Sequence, residues 1–208
     1  MSLEIDHLLQ IVSSEDEAYR IAKATGLKIR SKTVHVGQGT SGMFFAFAEC
    51  YFEFIWMRDE EEARTNLLRF DKKFNAVRDG GSPFGVSLRG NVSDPDLNTF
   101  TAYNPAYGKY TIYFTKESLT QPHLPLLFFH THPDRPNNVD WHPINSKTID
   151  RNTCNFDSEI KRFNSVEIHG PHANLESFPQ ISFVKSDTHK MIINVGGTFK
   201  FSEIVSLK

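Results

Sequence analysis

Cysteine is scarce in this 208-residue chain: there are two, Cys50 and Cys154. Two cysteines exclude a disulfide framework and a Cys-rich zinc site, and they fit a reducing compartment in which a free thiol packs as a small apolar residue. An excess of one charge is missing as well. Lys and Arg number 23 against 25 Asp and Glu, a formal charge of −2, without the basic patch that nucleic acid or an anionic membrane requires. No apolar run approaches the roughly 18 residues of a membrane span. Met1–Asp6 lacks the basic-then-apolar order of a signal peptide. These absences lead to the expectation of a soluble, cytoplasmic protein that binds neither nucleic acid nor membrane.

What is abundant is aromatic. Eighteen Phe and an aromatic share of 12% against 23% charged residues describe a globular chain with a core of its own. Leu3–Val12 reads as a strand. Ser14-Glu15-Asp16-Glu17 forms a capping box ahead of Ala18, Ile21, Ala22 and Thr25 at helical spacing, and Gly26 stands where a left-handed cap closes the helix. Strands follow at Leu27–Val36, Met43–Ala48 and Cys50–Met57, which gives a β-α-β-β-β order. Asp59–Arg78 is charged and helix-forming, with Leu67, Leu68 and Phe74 on its expected buried side. A second series opens with a strand at Phe84–Arg89, a short helix at Ser93–Asp96, and strands at Lys109–Thr115 and Leu124–Thr131. A third strand-rich stretch runs from Ser165 to Val205. Faint internal similarity, with Glu53 and Glu203 each inside an apolar strand, fits duplicated units.

Gly37-x-Gly39-x-x-Gly42 matches a dinucleotide-binding fingerprint in letters only. That motif needs a helix directly after the glycines, whereas Met43-Phe44-Phe45-Ala46-Phe47 is an aromatic strand. The segment reads as a turn between strands.

Other features carry chemistry. His7 and Glu53 are ligand-type residues inside apolar strands, and a buried carboxylate without a partner is costly. The competing reading makes His7 a hydrogen-bonded core imidazole and Glu53 a solvent-facing residue. His130 and His132 lie two apart on a strand and so share a face. One of them, with His7 and Glu53, would supply two imidazoles and a carboxylate, a set that serves iron, zinc or manganese. His35, ahead of the glycine turn, reads as a pocket donor or proton-transfer group or else as an exposed strand residue. Arg89 is suited to a substrate carboxylate or to a solvated surface, and Trp141 and His142 to the roof of a pocket or to a surface patch. No nucleophilic cysteine or serine elbow is present.

The segments Ile5-Asp6-His7-Leu8-Leu9, Thr25-Gly26-Leu27, His35-Val36-Gly37-Gln38-Gly39-Thr40 and Tyr51-Phe52-Glu53-Phe54-Ile55 together resemble a glyoxalase-like domain of the vicinal oxygen chelate superfamily. The resemblance is specific over residues 3–57 and weakens beyond. It implies an α+β fold of paired βαβββ modules whose curved mixed sheets form a cleft, with an extended C-terminal half. The division it leads to is one domain over 1–208: module one at 1–58, a connecting helix at 59–82 and an extended second module at 83–208. It also implies a divalent metal (Zn, Fe, Mn or Ni) held by His7 on the first strand and Glu53 on the fourth. In the second module Ser87, a poor ligand, takes the first-strand position. The closing ligand falls at His130 or His132, unless Ser165–Lys208 is the true second module and supplies Glu203. The implied function is a metal-dependent lyase, isomerase or dioxygenase acting on a small oxygen-bearing molecule, with His35 catalytic and Arg89, Trp141 and His142 binding substrate. The alternative is a metal-free binding protein of the bleomycin-resistance type, with Phe residues beside Glu53 and His130 flooring the cleft. A homodimer is compatible with either.

Overall fold

A computed structural model describes residues 4–47, 50–90, 96–106, 108, 110–131, 155, 162–171, 180–194 and 200–202. The first unit is β1 (Glu4–Ile11), α1 (Glu15–Thr25), β2 (Ser31–His35), β3 (Thr40–Ala46) and β4 (Tyr51–Met57). The short helices α2 (Glu60–Thr65) and α3 (Phe70–Arg78) lead to β5 (Phe84–Arg89), β6 (Phe100–Tyr103), β7 (Thr111–Thr115), α4 (Lys116–Thr120) and β8 (Leu126–Thr131). These eight strands form one curved mixed sheet of order β2-β3-β4-β1-β5-β8-β7-β6. Each half has the same logic. Its first strand pairs in parallel with its last, β1 with β4 and β5 with β8, and the two first strands meet antiparallel at the centre. The protein is thus an α+β fold built on two related half-sheets.

The first helix forms as its sequence dictates. The Ser14 hydroxyl accepts from the Glu17 amide at 3.2 Å, and the Glu17 carboxylate reaches back to the Ser13 amide at 2.7 Å. Gly26 closes the helix at φ 70°. Residues 59–78, by contrast, form two helices instead of one. Asn66 breaks the run: its amide oxygen accepts from Leu68 N at 2.8 Å, while its amide nitrogen donates to Gly37 O and, at 3.3 Å, to the Tyr103 hydroxyl. Arg69 then takes φ 51°, and Leu67 turns out to solvent while Leu68 and Phe74 stay buried.

Period-2 alternation divides the apolar residues between the two faces of the sheet. On the convex face Leu8, Phe45, Phe52, Phe54, Val86 and Phe129 pack under α1 and under a second, four-stranded sheet. That outer sheet comprises β9 (Ser165–Gly170), β10 (Ile181–Lys185), β11 (Lys190–Asn194) and β12 (Lys200–Ser202), in the order β10-β9-β11-β12. Its Val166, Ile168, Ile181 and Met191 complete the same core. On the concave face Leu9, Ile11, Ile55, Leu126 and Phe128 pack against Ala63 of α2 and Phe70 and Phe74 of α3, so the two helices close one end of the cleft. The neighbours of Glu53, Phe52 and Phe54, therefore point away from the cleft. They belong to the convex core, since adjacent residues of a strand face opposite sides.

Cys50 is fully buried, as its apolar reading requires. Cys154, His132, Trp141, His142, Glu203, most of the Ser93–Asp96 segment and the turn after Pro171 lie outside the described residues. Among the described residues no helix is long and apolar enough to cross a membrane.

Candidate active-site cleft

The polar centre of the cleft begins with an irregularity in β1. Ile5 pairs with Leu88 and His7 with Ser87, so Asp6 is an extra residue, a bulge, in the β1–β5 ladder. Ile5 and Leu8 accordingly both face the convex core, while Asp6 and His7 turn together into the cleft. His7 Nδ1 lies 2.7 Å from Asp6 Oδ2, with both side chains buried. The His7 ring stacks on Tyr51 at 4.1 Å and meets the edge of Phe128 at 5.5 Å. Its orientation is thereby fixed from three sides.

His130, on β8, closes the cluster. Its ring centroid is 5.6 Å from that of His7, and its Nδ1 meets the Ser87 hydroxyl at 3.0 Å. That contact helps to orient the ring. Tyr110 and Phe128 contact the His130 ring edge-on. Burial pushes His130 down to about 4, aided by the nearby His7 charge and opposed by Asp6, which keeps the imidazole neutral and able to donate a lone pair. Among the described residues, Asp6, His7 and His130 are the one group of three ligand-type side chains, with ligand atoms within 4.8 Å of one another. One carboxylate and two imidazoles are the donor chemistry of a divalent transition metal.

Glu53 stands apart from this group. Its register partner on β1 is Leu9, one pleat from His7, and it faces His35, whose Nε2 is 3.5 Å from Oε1. Gly42 makes that approach possible, because a Cβ there would lie 2.2 Å from Glu53 Oε1 and 3.0 Å from His35 Cε1. Burial raises Glu53 to about 8. His35 is pushed down to about 4, by burial first and then by the His7 charge. The His35 Nδ1 contacts the Thr40 hydroxyl at 3.0 Å. His35 and Thr40 flank a turn in which Gly37 and Gly39 take φ 81° and 77°, so the glycine-rich segment is a β2–β3 connection.

Arg89 lies beside the bulge, its Nη1 3.8 Å from Asp6 Oδ1 and its Nη2 3.3 Å from the exposed Glu4. The sequence reading singled out His7, His130, Glu53, His35, Ser87 and Arg89, and all six line or border this cleft. It missed Asp6. Period-2 alternation assigns Asp6 to the face opposite His7, and a bulge leaves no signature in composition.

Comparison with known proteins settles the family. The profile of the glyoxalase-like domain matches residues 5–154. The chain belongs to the glyoxalase-like domain family. No curated protein sequence matches this chain. Among solved structures, a hypothetical protein from Staphylococcus aureus is 12% identical with a TM-score of 0.50, over 81% of this chain and 70% of that one. Methylmalonyl-CoA epimerase from Mycobacterium tuberculosis is 14% identical with a TM-score of 0.42, over 61% and 86%. A hypothetical protein from Bacillus halodurans is 15% identical with a TM-score of 0.44, over 66% and 100%. These are likenesses of fold. The glyoxalase-like match ends at residue 154, so the outer sheet lies beyond it.

Proposed function

We propose that this protein is a divalent-metal-dependent enzyme of the lyase, isomerase or dioxygenase type, acting on a small molecule that presents adjacent oxygen atoms. The observation that carries the reading is the convergence of Asp6, His7 and His130 on one spot of the concave face. Those three side chains would hold the metal, which supplies Lewis acidity toward substrate oxygens when bound. Ser87 would orient His130 through Nδ1, as hydrogen-bonded partners of metal-ligating imidazoles do. Glu53, dry, raised to about 8 and set beside His35, keeps its proton at neutral pH and is suited to give it to a bound substrate. Arg89, whose partner Glu4 is largely in solvent, provides the cation for a substrate carboxylate at the cleft rim. We read the whole chain as one unit, with the outer sheet bracing the convex face.

The competing reading is a metal-free binding protein. It is favoured by the 2.7 Å pairing in which His7 and Asp6 satisfy each other, and by the rings of Tyr51, Phe128 and Tyr110 around the two imidazoles. Elemental analysis and chelator competition with Zn, Mn, Fe and Ni separate the two. Wild type is expected to bind one metal per chain. Asp6→Asn, His7→Ala and His130→Ala should each weaken binding by more than about 10-fold, with Ser87→Ala costing about 10–100-fold and Glu53→Gln only a few-fold. A wild-type protein that takes up none of these metals sinks the enzyme reading and leaves the binding protein.

A further inference from the structure

The turn that mimics a nucleotide-binding motif holds an ordered chain of polar contacts. Gln38 Nε2 donates to Thr40 Oγ1 at 2.9 Å, and Thr40 Oγ1 contacts His35 Nδ1 at 3.0 Å. All three residues are buried, and Thr40 is fully so. We propose that Gln38 and Thr40 are positioning residues that fix the tautomer of His35, leaving Nδ1 bare and directing the Nε2–H toward Glu53.

The argument is an accounting of protons. A hydroxyl has one proton to give and two lone pairs to accept with. Gln38 Nε2 can only donate, so Thr40 accepts from it. If His35 carried its proton on Nδ1, Thr40 would accept twice and its own proton would be left buried without an acceptor, which is unfavourable. Every group is satisfied only when Thr40 donates to Nδ1, and the ring proton then sits on Nε2. On that side of the ring lies Glu53 Oε1, a buried oxygen that no donor meets in hydrogen-bond geometry. Burial also holds the imidazole neutral, its value pushed down to about 4, so a choice between two tautomers exists at neutral pH.

Two glycines hold this chain of contacts in place. Gly39, at φ 77°, brings the turn against the backbone of Asp59 and Ala63, and Gly42 leaves room for Glu53 beside the imidazole. The catalytic consequence, a carboxylate cheaper to ionise beside the substrate, rests on the function proposed above. The tautomer itself does not.

The test uses the full, metal-free chain labelled with 15N in its imidazoles, with His35 assigned by its disappearance in His35→Gln. Long-range 1H–15N correlation at neutral pH is expected to show a pyridine-like Nδ1 and a pyrrole-like Nε2. In Gln38→Glu the new carboxylate can only accept, so it takes the Thr40 proton, and Thr40 accepts from Nδ1–H. The two nitrogen resonances should exchange character. In Thr40→Val the fixed pattern should give way to a mixture of both forms. A wild-type His35 protonated on Nδ1 overturns the proposal, as does a Gln38→Glu protein that keeps the wild-type pattern. Should Gln38→Glu not fold, a single unmixed Nε2–H form in Thr40→Val overturns it equally. Failure to bind metal would sink the enzyme reading and leave these resonances unchanged, so the two failures are distinguishable.

Discussion

His7 and Ser87 face one another across the β1–β5 ladder, and the two halves of the sheet repeat about that pair. His7 pairs with Tyr51 on β4 and Ser87 with Phe128 on β8. Two residues further along those outer strands stand Glu53 and His130, which are therefore counterparts. The halves have diverged in chemistry at the same geometric point. One presents a carboxylate beside His35, the other an imidazole held by Ser87. The bulged Asp6 brings a carboxylate to the His130 side, where Ser87 contributes a hydroxyl.

The contrast between two glycines tests how closely this site is packed. A methyl at Gly39 would meet the Ala63 amide nitrogen at 2.3 Å and the Asp59 carbonyl at 2.4 Å, both backbone, at a φ that disfavours side chains. Gly39→Ala should therefore cost about 3 kcal/mol or more of folding free energy, or prevent folding. A methyl at Gly42 meets mainly the Glu53 carboxyl, so Gly42→Ala should cost about 1–2 kcal/mol. That cost should largely vanish in a Glu53→Ala background, a coupling that urea denaturation of the double-mutant cycle reads directly. An equal cost of Gly42→Ala in both backgrounds would contradict the contact.

Three buried groups of the cleft, Glu53, His35 and His130, impose opposing pH dependences on the metal-free protein on either side of about pH 6.5. Glu53 is raised to about 8, so the folded state holds a proton that the unfolded chain releases above about 4.5. Its contribution to stability is lost as pH rises to 8, by about 2 kcal/mol between 6.5 and 8. His35 and His130 are lowered to about 4, so the unfolded chain binds protons first on acidification. Their contribution is lost as pH falls from 6.5 toward 4, in partial opposition to the gain from Glu53. Buried Lys73, pushed down to about 7, works against the alkaline limb, so urea denaturation with a chelator present, across pH 4.5–8.5, reads each limb as the difference between wild type and variant. Glu53→Gln should flatten the alkaline limb and His35→Gln reduce the acid one. A Glu53→Gln protein that keeps the alkaline limb would assign that limb elsewhere.

Much of this architecture is legible in residue order, because period and caps act locally. The Ser14 and Gly26 caps, the β1–β4 run and the β5 and β8 strands follow from short-range rules. His7 and Glu53 stood out because each interrupts an apolar strand. What was hidden depends on distant partners. Asp6 joins the cleft through a bulge defined against β5, and Asn66 divides a helix by bonding to Gly37 and Tyr103. The four-residue β6 lies at a sheet edge and carries too few residues for a visible alternation. The Phe residues beside Glu53 read as cleft floor until alternation is applied strictly, which turns them to the convex core.

Lys73 supplies the last prediction. It lies on α3, almost wholly buried, and its ammonium donates to the carbonyls of Ser82 at 2.8 Å, Pro122 at 3.0 Å and Leu124. Those carbonyls precede β5 and β8, the parallel pair that carries Ser87 and His130. Three carbonyls gathered by one buried ammonium, two of them in buried bonds, make the residue costly to remove. Lys73→Met, which keeps the length of the stem, should lower stability by about 3–5 kcal/mol. Because the clamp joins the second half-sheet to the helices, the loss should also loosen the strand pair under His130. Amide exchange along β5 and β8 should then speed up more than along β1 and β4. Uniform acceleration across all four strands would show that Lys73 stabilises the fold as a whole without specifically bracing the half of the cleft that presents His130.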